Sequence, residues 1–447
     1  MSYELVVIGS GPGGQRAAVQ AAKLGKKVLV IEKFRIGGAC LHQGTIPSKT
    51  LREAALSSSE TGERAFLSAM RRSREVITGE QTVIRNQLER NKIEIEIGTA
   101  EFKDPHTVIV KNDETCREIK ADNFIIATGT RPHMPSHMNF NTSSLVNSDT
   151  ILNIRRFPVK MAVIGAGVIG CEYATIFAKL GSLVSVFEQR KYLLRGLDGE
   201  IQKRLEEQFQ RSGLDLRMGV KLGTIENDSE KAIVNFDNQK LEFDVVLYCL
   251  GRTGNVEDLK LDKAGVQANP RGLITVDKNY KTNVNHIYAV GDVQGPPGLA
   301  TSASEQGRMA AASIFTGQPS AFPETFPFGI YTIPEISQVG LTEEELQEKK
   351  ADYVVGVAQY KELARGKILN DEDGLLKLIF DRPTEKLLAV HILGTGATEL
   401  VHIGQTALAL GAKLDFFIQN VFNYPTLAEA YKVAAYMAFN KLRAKKP

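Results

Sequence analysis

Leu5-Val-Val-Ile-Gly9-Ser-Gly11-Pro-Gly-Gly14 is the stretch from which the rest of the chain is read. Four consecutive apolar residues bounded by glycine read as a buried parallel strand. Ala17 to Leu24 then carries a helical pattern, and Val28-Leu-Val-Ile-Glu32 is a second apolar strand. The unit is therefore strand, glycine turn, helix, strand. Gly9 suits the tight turn, Gly11 the close approach of a pyrophosphate to backbone, and Gly14 the contact of helix with strand. Glu32 ends the second strand, where an acid accepts from an adenosine ribose hydroxyl. A glycine triplet alone is weak evidence. With both strands, the helix and the acid in place, it specifies a dinucleotide site.

The whole pattern then repeats. Met161-Ala-Val-Ile leads into Gly165-Ala-Gly167-Val168-Ile-Gly170, a helix follows, and Val184-Ser-Val-Phe-Glu188 closes the unit. Two fingerprints in one chain imply two dinucleotides. Glu188 favours the free ribose hydroxyls of NAD and repels a 2′-phosphate. Arg190, Lys191 and Arg195 follow closely, and cations of this kind pair with such a phosphate. Opposite signs at one site suit a pocket that tolerates NAD or NADP.

At 447 residues the chain is too long for one core, and about three domains are expected. Hydrophobic content of 43% with 24% charged residues is that of a soluble globular protein. A net charge of +3 without a dense Lys/Arg block gives no reason to expect a nucleic-acid partner. The closing Lys441-Leu-Arg-Ala-Lys-Lys446 reads as a solvated helix end. A strand starting at Tyr3 leaves no room for a signal peptide, and no long uncharged apolar run is suited to a bilayer. Cys40, Cys116, Cys171 and Cys249 show no metal-ligand or framework spacing. The expectation is a reduced, cytoplasmic protein with no structural disulfide and no metal.

Between the fingerprints, Leu51 to Asn91 reads as helical and polar, and Ile93 to Lys120 alternates like a small antiparallel sheet. Asn123-Phe-Ile-Ile-Ala-Thr128-Gly129 returns to a buried strand, and Arg131-Pro-His-Met-Pro reads as a linker. Cys249 is expected inside the strand of Phe243-Asp-Val-Val-Leu-Tyr-Cys-Leu-Gly251, as an inert thiol. Later, Leu375 to Phe380 and Leu387 to Leu393 read as strands and Glu399 to Leu410 as a helix.

Gly37-Gly-Ala-Cys40-Leu-His-Gln-Gly-Thr45-Ile-Pro-Ser-Lys49 resembles the helix beside the flavin in the FAD-dependent pyridine nucleotide-disulfide oxidoreductases of class I. Ala127-Thr128-Gly129, Gly251-Arg252-Thr-Gly-Asn255, Gly291-Asp292 and Tyr331-Thr-Ile-Pro-Glu335 resemble further segments of that family, so the likeness runs over essentially the whole chain. It implies an α/β fold with two Rossmann-like domains, the second inserted in the first, plus a C-terminal α+β dimerisation domain. The implied division is FAD binding over 1–145 and 269–325, NAD(P) binding over 146–268, and an interface domain over 326–447. FAD would be held by Gly9, Gly11, Gly14, Glu32, Cys40, Thr45, Lys49, Thr128, Gly129, Gly291, Asp292, Leu299 and Ala300. NAD(P) would be held by Gly165, Gly167, Val168, Gly170, Glu188, Arg190 and Gly251. Lys49 and Glu172 correspond to a family pair that keeps an ammonium near the flavin and are the catalytic candidates. Val168 replaces a tyrosine lid found in some members. Tyr424, Pro425 and Glu429 fall on a loop that reaches the partner subunit of a homodimer or larger homo-oligomer.

Two departures from the family pattern decide the expected chemistry. Disulfide reductases carry a second cysteine where this chain has Thr45, and a threonine hydroxyl neither forms a disulfide nor acts as a soft nucleophile. They also place a histidine base where this chain has Tyr424, whose unperturbed pKa near 10 is far from neutral. Both parts of thiol exchange are missing together. The resemblance narrows to the branch that exchanges hydride between NADPH and NAD by a ping-pong route through flavin N5, without a redox disulfide. The alternatives are an NAD(P)H dehydrogenase of diaphorase type passing electrons to quinone, a dihydrolipoamide dehydrogenase-like enzyme, and a flavin-bearing sensor without turnover.

Overall fold

The computed structural model describes residues 2–318, 322–323 and 325–444. Its first sheet is built around the opening strand, Ser2–Ile8, which lies between Val28–Glu32 and Cys116–Ile126. Glu94–Ile97 on one side and Ile287–Ala289 on the other complete five parallel strands. Leu5, Val6 and Val7 are buried on both faces, as the unbroken apolar run requires of an interior parallel strand. Each such side chain contributes about 1.5–3 kcal/mol by leaving water.

The strand Cys116–Ile126 is used twice. Its first half pairs antiparallel with Thr107–Lys111, which pairs with Thr99–Asp104; its second half joins the parallel sheet. The small antiparallel sheet expected over 93–120 forms from Thr99 onward and is fused to the parallel one, whereas Glu94–Ile97 belongs to the parallel edge. Alternation reports one buried face and is blind to the neighbour a strand edge will find. The helical stretch over 51–91 also resolves into two helices, Thr45–Ser57 and Gly62–Arg90.

The second unit repeats the plan. Asp215–Met218, Leu183–Glu188, Lys160–Ile164, Val245–Tyr248 and Leu145–Asn147 form a parallel sheet in that order. An antiparallel meander, Leu222–Asn227, Ala232–Phe236 and Gln239–Phe243, again precedes the last crossing. Cys249 lies just past its strand, not in it, and burial pushes its thiol up to about 12. The proline-rich linker is not free chain. Thr130–Pro132 pairs antiparallel with Arg252–Gly254, so the outward and return crossings between the two units run side by side.

The C-terminal unit is a five-stranded antiparallel sheet, Phe328–Ile330, Ile336–Gly340, Leu387–Leu393, Leu375–Asp381 and Tyr353–Gln359. The helices Ala397–Ala409 and Glu429–Arg443 pack against it. Lys445 and Lys446 of the basic tail lie outside the described residues. Among the described residues no helix is long and apolar enough to cross a membrane.

Two helix contacts position the site. Pro12–Lys23 packs on Ala300–Thr316 so closely that a Cβ at Gly307 would lie 2.0 Å from the Gly13 carbonyl oxygen. That brings the N-terminal end of the later helix to the first glycine turn. Val168–Lys179, buried from Gly170 through Phe177, is wedged between its own sheet and Thr45–Ser57. Its apolar character on all sides follows from being covered on all sides.

Candidate active site

The two glycine turns share one backbone plan. Gly9 and Gly165 hold φ of +107° and +105°, and a Cβ at Gly14 or Gly170 would meet the carbonyl oxygen of Gly9 or Gly165 at 1.9 and 2.0 Å. Gly11 and Gly167 face open space. In the first turn the amide of Ser10 donates to Glu32 Oε2 (3.0 Å) and the amide of Phe34 to Oε1 (3.0 Å). In the second, the amide of Ala166 donates to Glu188 Oε2 (2.9 Å) and that of Arg190 to Oε1 (3.0 Å).

The copies differ at the residue two beyond the acid. Phe34 presents an exposed ring, whereas the Arg190 guanidinium closes on Glu188 through Nε (3.1 Å) and a terminal nitrogen (2.9 Å). Burial pushes the Glu188 carboxyl up, but the Arg190 and Ala166 donors outweigh it and hold the group at about 2. Arg190 is therefore engaged with the acid and not a free cation.

The first turn opens into a cavity of about 1450 Å³, larger than a drug-sized pocket and lined from Glu32 to Lys49 and Asp292. Glu32, Cys40, Thr45, Lys49, Thr128, Gly129, Gly291, Asp292, Leu299 and Ala300 line it with Gly9 and Gly11; Val168 and Glu172 reach it from the inserted unit. Gly14 lies behind the turn. Thr128 and Tyr173 line the same cavity with other atoms, while their hydroxyl oxygens are buried behind its wall without a hydrogen-bond partner. The uncapped first turn of Ala300–Thr316, the Lys49 ammonium and the open space at Gly11 all meet this cavity, so it fits a ligand rich in hydroxyls and phosphate oxygens. An FAD-type dinucleotide has that character. Gly165, Gly167, Gly170 and Gly251 lie outside this cavity, and Glu188 lines a small neighbouring pocket with Phe187, Val220 and Leu250.

Lys49 Nζ donates to Glu172 Oε2 at 2.6 Å across 123 positions of sequence. Glu172 Oε1 accepts the Tyr331 amide at 2.9 Å, and the Lys49 ammonium sits 4.9 Å from the centre of the Tyr331 ring. One carboxylate thus fixes both the ammonium and the loop that carries an aromatic face for it. Arg52, one helical turn on from Lys49, is 4% exposed and donates to the Thr332 carbonyl (3.0 Å) while pairing with Glu335 (3.1 Å). Tyr331-Thr-Ile-Pro-Glu335 is therefore tied to both helices of the site. The sequence singled out this segment by resemblance alone; its role as a tertiary clamp, and Arg52 and Tyr173 altogether, were missed.

Cys40 is the one cysteine among the described residues that lines the cavity. Burial pushes its thiol up, against the Thr45 hydrogen bond and the Lys49 charge. His42 Nε2 bonds the Ile36 carbonyl (2.9 Å), a structural contact. Arg252 grips Thr130 through Nε to Oγ1 (2.7 Å) and a terminal nitrogen to the carbonyl (2.8 Å), and Asn255 donates to the Thr128 carbonyl (3.0 Å). Tyr424 is 70% exposed, and Tyr424, Pro425 and Glu429 do not line the cavity of their own chain.

The description "Pyridine nucleotide-disulphide oxidoreductase" matches residues 3–307, and "Pyridine nucleotide-disulphide oxidoreductase, dimerisation domain" matches 326–435. A protein of Mycobacterium bovis named soluble pyridine nucleotide transhydrogenase is 44% identical, over 99% of this chain and 98% of that one. Proteins of the same name from Pectobacterium atrosepticum and Pseudomonas fluorescens are 43% and 41% identical, again over 98% or more of each chain. Among solved structures, the HOCl-induced flavoprotein disulfide reductase RclA of Escherichia coli, as a Cu(II) complex, superposes with a TM-score of 0.92. It is 27% identical and covers 98% of this chain and 99% of its own.

Proposed function

The chain belongs to the pyridine nucleotide-disulphide oxidoreductase family, and from that premise we propose that it is an NAD(P) transhydrogenase moving hydride between NADPH and NAD. The observation that carries this reading is the Lys49–Glu172 pair beside a lone Cys40, with Thr45 where a second sulfur would be needed. The full-length likeness to proteins named soluble pyridine nucleotide transhydrogenase supports it.

FAD is proposed for the large cavity, with Gly9, Gly11, Gly14 and Glu32 at its adenosine end and Cys40, Thr45, Lys49, Thr128, Gly129, Gly291, Asp292, Leu299 and Ala300 toward its ring end. When bound, it supplies the two-electron relay that takes hydride from one nicotinamide and gives it to the other. The chain's own part is alignment and electrostatics. Glu172 and the Tyr331 ring hold the Lys49 ammonium on one line, where it stabilises negative charge without reorganising. The first amides of Ala300–Thr316 have no side-chain cap and present the positive end of a 17-residue helix to the cavity. Val168, small and at the cavity wall, leaves the nicotinamide approach open.

NADP(H) and NAD(H) are proposed to use the second turn in succession, through Gly165, Gly167, Gly170, Glu188, Arg190 and Gly251. The same reading divides the chain at 145, 268 and 325, and assigns Tyr424, Pro425 and Glu429 to the partner's site in a homodimer. The exposed Val421, Tyr424 and Phe416 support such a covered face. The proposed compartment is the cytoplasm.

The test is to mix purified protein with NADPH and the thio-analogue of NAD and follow the reduced thio-analogue. Its formation is the expected result. No product alongside brisk quinone reduction would favour a diaphorase, and lipoamide turnover would refute the argument from the missing sulfur and base.

A further inference from the structure

Lys377 is fully buried in the C-terminal sheet, and its ammonium reaches out of that unit. It donates to Asp198 Oδ1 at 2.7 Å, pairs with Glu343, and lies 3.3 Å from Glu200 Oε2. Asp198, itself fully buried, caps the helix Gly199–Arg211 of the inserted unit by accepting the Glu200 amide at 3.1 Å. The three carboxylates Asp198, Glu200 and Glu343 cluster as cation ligands do, and the Lys377 ammonium is the cation among them. His391, also buried, donates from Nε2 to the Leu341 carbonyl at 3.1 Å, and burial pushes its pKa down against the pull of Asp198. None of these groups takes part in the chemistry above.

Asp198 ends the loop that begins at Glu188 and Arg190. Two further bonds from the C-terminal unit hold the same loop: Gln338 Nε2 to the Gly196 carbonyl (2.8 Å) and the Gly199 amide to Glu344 Oε1 (3.1 Å). Within the loop, Leu193 and Leu194 are buried, and the Leu194 amide donates to the Ala166 carbonyl at 3.0 Å. Ala166 sits inside the second glycine turn, and its own amide donates to Glu188. From Lys377 the contacts run to Asp198, then through Gln202, which bonds the Asp198 carbonyl by its amide (2.9 Å) and the Leu194 carbonyl by Nε2 (3.2 Å), and from Leu194 to the turn and its acid. A buried ion pair of this kind is weak evidence for stability and a strict constraint on geometry.

We propose that Lys377 is a positioning residue for dinucleotide binding at the second turn, setting the 190–199 loop from the neighbouring unit. The inference rests on the reading that nicotinamide dinucleotides bind there. A loop that must serve NADPH and NAD in succession, with its guanidinium folded onto its acid, needs its shape imposed from outside the site.

The test uses the FAD-loaded full-length protein and 2′,5′-ADP, a probe of the adenosine half alone, titrated by calorimetry. Lys377→Met is expected to weaken the probe about tenfold, with Lys377→Arg restoring most of it. KM for NADPH should rise with kcat at saturation unchanged, FAD should stay bound, and hydrogen exchange should quicken over 190–199. Unchanged probe affinity in Lys377→Met, or loss of FAD in step with loss of the probe, overturns the proposal. If Lys377→Met does not fold, the double variant Gln338→Ala/Glu344→Ala cuts the outer two bonds. It is expected to weaken the probe about threefold, and no change overturns the proposal. Failure of the unsubstituted protein to bind 2′,5′-ADP removes the nucleotide reading beneath it instead.

Discussion

Lys49 and Glu172 meet at 2.6 Å, and the carboxylate that holds the ammonium also holds the Tyr331 backbone. Removing either partner therefore has unequal consequences. Lys49→Met is expected to lower kcat by about 10²-fold, the scale on which a preorganised donor at a developing charge acts. FAD should be retained, since its proposed adenosine end is untouched. Glu172→Gln should cost less in rate. Stopped-flow reduction of the flavin by NADPH distinguishes the two; an unaltered rate in Lys49→Met would contradict the electrostatic role.

The two glycine turns allow the two proposed dinucleotides to be lost separately. A Cβ at Gly14 or Gly170 meets a backbone oxygen at about 2 Å, which no side-chain movement relieves. Gly14→Ala is expected to yield colourless protein. Gly170→Ala is expected to yield yellow protein that NADPH does not bleach. Absorbance spectra before and after NADPH check both.

Thr45→Cys is expected not to create a lipoamide reductase. The new thiol would stand with Cys40, and thiol titration under reducing and oxidising conditions should detect a pair. Position 424 still carries a tyrosine where thiol exchange uses a histidine. Efficient lipoamide reduction by the single variant would show that the base matters less than the sulfur.

The Glu188–Arg190 pair carries a pH signature. Its carboxyl is held at about 2 against an ordinary value of 4.5, so the folded state binds fewer protons than the unfolded one between those values. The stabilisation is present in full above pH 4.5 and is lost as pH falls toward 2. Arg190→Ala should therefore lower the melting temperature at pH 7, with the deficit narrowing below pH 4.5. The same variant should raise the KM for NADPH about tenfold and that for NADH less, because a Glu188 carboxylate stripped of its guanidinium repels the 2′-phosphate. Scanning calorimetry across pH and paired KM measurements check these outcomes.

What was legible in the sequence was local. Each glycine turn, its flanking strands and its closing acid lie within one βαβ unit, so spacing alone identified them. Lys49 and Glu172, far apart in the chain, were paired by resemblance and not by pattern. Arg52, Tyr173 and Lys377 escaped both routes. A buried arginine on a helix and a lysine in an apolar strand look like solvated charges until the partner surface is known. The double use of Cys116–Ile126 was illegible for a related reason, because a strand's periodicity says which face is covered and not which edge is taken.

The paired crossings at Thr130–Pro132 and Arg252–Gly254 bear on how such a chain arose. Because departure and return are neighbours, the intervening segment is joined covalently to its host at one narrow stem, while Val168–Lys179 and the 190–199 loop pack against the host elsewhere. A copy of an ancestral nucleotide-binding module spliced in at that stem would leave the host's strand order intact. Cutting the stem and bridging its ends would bare the apolar faces of Thr45–Ser57 and Gly62–Arg90 that the inserted unit now covers, so the host depends on its insert for packing and not for strand order.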